Sequence, residues 1–106
     1  MERDPGVERT VRAIAAEAAR SLALRRVYLF GSRSRGDARP DSDIDLAFEH
    51  DSTLAAWSDF VNRMRDEAPT LLDLDLVDLA QIGDELRAEI LKEGRLIDGE
   101  PGTGAE

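Results

Sequence analysis

The apolar positions near the start of the chain repeat with the period of a helix. These positions are three or four residues apart: Val7, Val11, Ile14, Ala15, Ala18 and Leu22. Side chains at that spacing share one helix face, which can then be buried. Asp4 followed by Pro5 is typical of a helix N-cap with proline in the first turn. The pattern predicts an amphipathic first helix.

Three shorter segments have the pattern of strands. Residues 27–30 are apolar at every position, which favours a strand covered on both faces. A loop over residues 33–42, rich in Gly, Pro, Arg and Asp, leads to a second strand over 43–48. Residues 71–79 alternate leucine with aspartate, so we expect a third strand with an apolar face and a face that carries carboxylates. His50, the sole histidine, follows the second strand among acidic residues and is predicted to be exposed.

Two further helices complete the pattern. The first starts near Asp51 or Ser52, ends before Pro69 and has these apolar residues on one face: Leu54, Trp57, Val61 and Met64. We expect Trp57 to pack within the protein. The last helix runs from Ile82 to Lys92, stops at Gly94 and leads to a short strand over 95–97. We therefore expect one α+β (α/β) domain over residues 1–98, with residues 99–106 as a flexible C-terminal tail.

Composition narrows the classes of function that fit. A chain of 106 residues is long enough for one compact domain but too short for two full cores. Its 14 basic and 23 acidic side chains give a net charge of −9, which repels nucleic acid and anionic membranes. The lack of cysteine excludes disulfides, thiol catalysis and cysteine-based zinc sites. No run of 18 apolar residues occurs. We expect a cytoplasmic protein without direct nucleic-acid or membrane contacts.

A glycine-serine pair follows the first predicted strand, and its surroundings are compatible with phosphate binding. Gly31 and Gly36 have the spacing of the two glycines in a P-loop. However, Asp37-Ala38 stands where that motif has the lysine and the hydroxyl residue that hold phosphate and magnesium. A P-loop is therefore excluded.

A run of alternate aspartates resembles the start of a calcium-binding EF-hand loop, but two later positions of that loop do not match. Asp41, Asp43 and Asp45 match the first three ligand positions of that loop. The sixth position is Leu46 instead of glycine, and the twelfth is Ser52 instead of glutamate. The loop would lack both its sharp turn and its bidentate ligand.

Taken together, these residues fit metal-assisted transfer from a nucleoside triphosphate. Gly31 has no Cβ and lets a polyphosphate approach the backbone, while Ser32 adds a hydroxyl and an N–H donor. Asp43 and Asp45 share one strand face about 6.5 Å apart, a gap that a cation can bridge. A third carboxylate from another strand, such as Asp75, would complete a two-metal site or accept a proton from the attacking hydroxyl.

Two assignments stay open from the residues alone. Asp73 shares a strand face with Asp75, so either residue fits as the third carboxylate. Arg33 and Arg35 follow Ser32 closely and could neutralise a triphosphate, but arginines in an aspartate-rich loop also form solvated ion pairs.

The ordered motif resembles a known family. Gly31-Ser32, ten intervening residues, Asp43-Ile44-Asp45 and the later run 74–79 resemble the minimal nucleotidyltransferases (MNT) of the DNA polymerase β superfamily. With its short length, the chain is similar to the MntA-like antitoxins that pair with HEPN ribonuclease toxins. The resemblance covers about residues 10 to 97 and favours Asp75 as the third carboxylate, because that residue matches the family's metal-site aspartate.

The resemblance implies both a fold and a reaction. The fold is a mixed β-sheet backed by helices, with the site at one edge of the sheet. Two Mg²⁺ ions would be held by Asp43, Asp45 and Asp75, and ATP would be bound with the help of Gly31-Ser32 and Arg33. The enzyme would move AMP from ATP to a hydroxyl of a partner protein, a tyrosine of a HEPN toxin bound as a hetero-oligomer. The alternatives are an antitoxin that only masks its toxin and a nucleotidyltransferase with another acceptor.

Overall fold

Helices and strands alternate along residues 4–99, the part of the chain that the computed structural model describes. The elements are α1 Pro5–Ser21, β1 Leu24–Phe30, α2 Ser32–Arg35, β2 Ile44–His50, α3 Leu54–Glu67, β3 Leu74–Asp78, a 3₁₀ turn at Leu79–Gln81, α4 Asp84–Glu93 and β4 Arg95–Asp98. The predicted α+β class is confirmed. Within this range no helix has both the length and the apolarity needed to cross a membrane. Most of the predicted tail, residues 100–106, lies outside the described part.

The four strands form one mixed sheet in the order β3-β2-β1-β4. Strand β1 is antiparallel to both of its neighbours, β2 and β4, whereas β2 and β3 are parallel. Because β3 lies at the edge, β2 is the only strand within residues 4–99 that pairs with the predicted carboxylate strand. The mixed sheet implied by the family resemblance is thus confirmed.

Helices α1 and α3 cover one face of the sheet. The Oδ1 of Asp4 caps α1 by accepting from the N–H of Gly6 at 2.8 Å, as the Asp-Pro pair predicts. Alternate residues of β1 and β2 enter the same core: Val27, Leu29, Ile44, Leu46 and Phe48. The ring of Trp57 contacts Phe48 edge to face at 5.3 Å between centroids, so its predicted packing role is confirmed. This face forms the main hydrophobic core.

The buried face of α3 differs in part from the predicted one. Phe60 and Met64 are its buried residues, whereas Leu54 is 60% exposed. The helix begins at Leu54 because the Oγ1 of Thr53 accepts from the N–H of Ala56, which caps the first turn. A residue in that terminal turn has fewer neighbours than one in the middle of the helix.

The second face of the sheet is only partly covered. Ala47, Leu79 and Ile90 form a small buried cluster there, with Tyr28 and Phe30 packed against it. Side chains two positions apart on a strand point to the same face. The carboxylates at positions 45 and 75 therefore lie on the face of this small cluster, beyond its apolar part.

Strand β3 is shorter than the predicted strand over 71–79. It begins at Leu74, which pairs with Ile44, the first residue of β2, so no partner strand extends to Leu71. Leu71 is consequently fully exposed. The strand ends at Asp78, whose Oδ1 accepts from the N–H of Ala80 at 3.0 Å and caps the 3₁₀ turn.

The prediction that His50 is exposed is wrong. Its side chain is only 3% exposed and stacks on Trp57 with 5.2 Å between ring centroids. Its Nδ1 accepts from the N–H of Ser52 at 3.1 Å, so the proton of the neutral ring is on Nε2. Nε2 lies 3.1 Å from the Oδ2 of Asp78, within contact distance but not aligned for a hydrogen bond. The ring therefore joins β2 to the end of β3.

Candidate active site

Gly31 stands at the end of β1 in a conformation that only glycine adopts readily. Its φ of 74° and ψ of −155° lie in a backbone region that is essentially restricted to glycine. A Cβ at this position would overlap the Oδ2 of Asp45 and lie 3.2 Å from its Cγ. The missing side chain thus makes room for a carboxylate of the protein itself, in addition to any phosphate.

Asp45 and Asp75 are direct partners on adjacent strands. They are paired in the parallel register of β2 and β3, where strands are about 4.8 Å apart and paired side chains point to the same face. Asp45 is half-buried, and Asp75 is exposed at the sheet edge. Asp43 is exposed one residue before β2 begins. The structure therefore brings the predicted carboxylates to one end of the open sheet face.

The electrostatics of Asp45 reflect this crowding. Burial, followed by the charges of Asp75 and Asp43, raises the pKa of Asp45 to about 6. The positive charges of Arg35 and Arg33 act in the opposite direction. Like charges at this spacing disfavour full ionisation unless a cation offsets them. The site consequently has a surplus of negative charge that a metal ion would relieve.

The donor set fits magnesium, although it is not assembled as a finished cage. Within residues 4–99, no three histidine, cysteine, aspartate or glutamate side chains are already grouped closely enough to hold an ion. Carboxylate oxygens are nevertheless the ligands that Mg²⁺ prefers, and it is commonly held by one or two of them together with substrate phosphates. Asp45 and Asp75 fit that incomplete arrangement.

Asp73 occupies a different position from Asp75. It precedes β3, and its carbonyl oxygen accepts from the N–H of Ile44 at 3.0 Å. Its place is thus at the start of the strand pairing, whereas Asp75 faces Asp45 across the register. This geometry favours Asp75 over Asp73 as the third carboxylate, and the assignment stays a prediction.

Ser32 begins a single helical turn where the sequence predicts a loop. Its carbonyl oxygen accepts from the N–H of Gly36 at 2.9 Å, and Gly36 ends α2 with a left-handed φ of 89°. The hydroxyl of Ser34 donates to the carbonyl of Glu93 at 2.8 Å and ties this turn to the end of α4. Ser32 is thereby held directly after Gly31, and its role in phosphate binding stays a prediction.

The two arginines of α2 differ in their contacts. Arg33 donates to backbone carbonyls of the following loop, including that of Ser42 at 2.8 Å. Arg35 is more exposed and pairs with Asp37 at 3.3 Å. Arg35 therefore matches the solvated ion pair that the sequence suggests. The predicted contact of Arg33 with ATP stays a prediction, and its hydrogen bonds to backbone carbonyls had no sequence signal, because every residue has a carbonyl.

Comparison with known proteins defines the class. The family model of the polymerase beta nucleotidyltransferases matches residues 13–100. The chain belongs to this family, and its fold is that of a nucleotidyltransferase. The predicted resemblance and the enzyme class are both confirmed. No curated protein matches the chain in sequence.

The chain is similar to several solved structures. A toxin–antitoxin complex with AMP-PNP includes a chain with 27% identity and a TM-score of 0.70, over 88% of this chain and 73% of that one. A minimal nucleotidyltransferase is 30% identical in sequence to this chain, with a TM-score of 0.64. The match covers 83% of this chain and 93% of that one. A complex of the tri-AMPylated Shewanella oneidensis HEPN toxin with MNT antitoxin includes a chain with 25% identity and a TM-score of 0.62. The match covers 88% of this chain and 70% of that one.

Proposed function

We propose that this protein transfers AMP from ATP, with magnesium, to a hydroxyl of a partner protein and acts as an antitoxin. The acceptor is a tyrosine of a HEPN-family toxin, with which the chain forms a hetero-oligomer. The observation that carries the proposal is the pairing of Asp45 with Asp75 beside Gly31. The similarity to an MNT antitoxin in complex with an AMPylated HEPN toxin supports the choice of partner and of nucleotide.

The three aspartates, Ser32 and Gly31 each have a defined part in this proposal. Asp43 and Asp45 would hold one Mg²⁺, and Asp75 would contribute to a second. Ser32 donates to a phosphate oxygen of ATP beside the open backbone of Gly31. When bound, magnesium neutralises phosphate charge and favours ionisation of the acceptor hydroxyl.

The reaction needs one bond formed and one bond broken. The acceptor oxygen attacks the α-phosphorus of ATP, and the bond from that phosphorus to the oxygen of the β-phosphate breaks. Pyrophosphate leaves with the electron pair of the broken bond. The proton of the hydroxyl passes to the carboxylate of Asp75, which is exposed at the edge of the sheet.

The charge of the chain is compatible with this partner class. A net charge of −9 complements a basic protein that binds RNA and cuts it. Such complementarity speeds encounter more than it adds affinity. We therefore expect the rate constant for association with the partner to fall as salt concentration rises.

The test is to incubate the chain with a HEPN-family partner, ATP and Mg²⁺, and to measure the intact mass of the partner. We expect one or more added adenylate groups and a parallel loss of RNA cleavage. The double variant Asp43→Asn/Asp45→Asn should add nothing, and Asp73→Asn serves as the matched control that still transfers. If the unaltered chain suppresses RNA cleavage without adding mass, a masking antitoxin is the better description and the enzymatic proposal fails.

A further inference from the structure

The guanidinium of Arg33 is directed at the backbone of the loop that precedes Asp43. Its Nη2 donates to the carbonyl of Ser42 at 2.8 Å, and to those of Arg39 and Pro40 at 3.2 Å each. Its Nε donates to the carbonyl of Ser42 at 3.2 Å. One edge of the guanidinium therefore binds three carbonyl oxygens within four consecutive residues.

The loop that Arg33 binds is closed on itself. The N–H of Ser42 donates to the carbonyl of Arg39 at 3.0 Å, and the N–H of Arg39 donates to the Oγ of Ser42 at 2.8 Å. Three carbonyl oxygens that converge on one point repel one another unless a donor lies between them. The planar fork of arginine meets several acceptors at once, which a lysine ammonium on a flexible stem does less well.

The position of this turn determines where the backbone of Asp43 lies. Ser42, whose carbonyl receives two donors of Arg33, is the residue directly before Asp43, and Ile44 already belongs to β2. Asp43 is thus held on one side by the sheet and on the other by the braced turn. Without the brace, only the two hydrogen bonds within the turn would restrain its backbone on that side.

We propose that Arg33 is a positioning residue for Asp43: with Ser42 it fixes the turn over residues 39–42 so that the Asp43 carboxylate is presented to the metal. This differs from the direct phosphate contact expected from the sequence. The metal part of the inference rests on the proposed function, whereas the brace itself does not.

The first experiment measures the brace in the metal-free protein. Amide hydrogen exchange of Ser42 is compared in Arg33→Gln, Arg33→Lys and Arg39→Gln. Arg39→Gln is the matched control, because it removes an equal charge from an exposed side chain in the same turn and keeps the backbone carbonyl. We expect exchange to rise about tenfold in both Arg33 variants and to stay unchanged in the control. Unchanged exchange in Arg33→Gln would overturn the inference.

The second experiment measures the coupling to Asp43 with Mn²⁺ as the probe. Mn²⁺ titration followed by electron paramagnetic resonance should show about tenfold weaker binding in Arg33→Gln than in the parent chain. In an Asp43→Asn background the same change should have no further effect, since a double-mutant cycle isolates the interaction between two sites. ATP binding without metal should be unchanged by Arg33→Gln.

The outcomes separate this inference from the proposed function. If Arg33→Gln weakens metal-free ATP binding about tenfold, or still weakens Mn²⁺ binding in the Asp43→Asn background, Arg33 is a phosphate ligand and the inference is wrong. If the parent chain binds no Mn²⁺ at all, the proposed function and the metal role fail together. The exchange experiment then still decides whether Arg33 holds the turn before Asp43.

Discussion

Replacing Gly31 with alanine should disturb both the fold and the metal site, for two separable reasons. The backbone conformation at φ 74° and ψ −155° costs a residue with a Cβ about 1 to 3 kcal/mol. In addition, the new Cβ would overlap the Oδ2 of Asp45, so that carboxylate must rotate away from its present position. We expect the two effects together to lower the free energy of unfolding by about 2 to 4 kcal/mol.

A double-mutant cycle separates the steric effect from the backbone effect. In Asp45→Ala only the Cβ of residue 45 remains near Gly31, at 3.5 Å from the new methyl group, which is an ordinary contact. Gly31→Ala should therefore cost about 1 kcal/mol less in the Asp45→Ala background than in the parent chain. Gly83→Ala is the matched control, because no atom lies within 4 Å of its added Cβ, and it should cost less than about 1 kcal/mol.

The assay is urea unfolding followed by circular dichroism, with Mn²⁺ titration of the folded proteins. Gly31→Ala should also bind Mn²⁺ more weakly, since the Asp45 carboxylate has been displaced. An equal cost of Gly31→Ala in both backgrounds would refute the reasoning, because the carboxylate of Asp45 would then not occupy the space beside Gly31.

Further predictions follow from the other carboxylates. Asp45→Asn should stabilise the metal-free protein at pH 7: a pKa raised from 3.8 to about 6 corresponds to roughly 3 kcal/mol, which partial exposure and screening reduce to about 1 kcal/mol. Because the folded pKa is the higher one, the parent chain should lose this stability as pH rises from about 4 to about 6, and urea unfolding of Asp45→Asn should lack that slope. Asp75→Asn should bind ATP with Mg²⁺ by calorimetry but fail to transfer AMP, whereas Asp73→Asn should do both; the reverse result would exchange the two assignments. Asp78→Ala should lower the free energy of unfolding by about 2 to 3 kcal/mol, since the buried His50 loses its partner and the 3₁₀ turn loses its cap; a loss below 1 kcal/mol in urea unfolding would contradict this account.

The strand pattern and the motif were predictable because each depends on local spacing. The alternation of apolar and acidic residues predicted that Asp45 and Asp75 lie on strand faces. In the structure, the parallel register of β2 and β3 pairs these two residues. No local pattern contains that register, which depends on the order of the strands in the sheet. The family resemblance supplied the mixed sheet and the choice of Asp75, whereas the register itself comes from the structure.

The features that could not be predicted depend on contacts between distant residues. His50 is buried because α3 brings Trp57 over its ring and β3 brings Asp78 beside it. Arg33 binds backbone carbonyls, which every residue has, so no sequence signal distinguishes them. Glycine is also needed at position 31 to leave space for the Asp45 side chain, and this second reason becomes visible only when β1 and β2 lie side by side.

The central claim is that Asp43, Asp45 and Asp75 hold divalent metal against the phosphates of a bound nucleotide. The most direct test is a crystal structure of the chain with Mn²⁺ and AMP-PNP, in which anomalous scattering locates the metal. The account predicts Mn²⁺ bound by Asp45 together with Asp43 or Asp75, with the nucleotide phosphates beside Gly31. Nucleotide bound with Mn²⁺ elsewhere, or with no Mn²⁺ at Asp45, would contradict it.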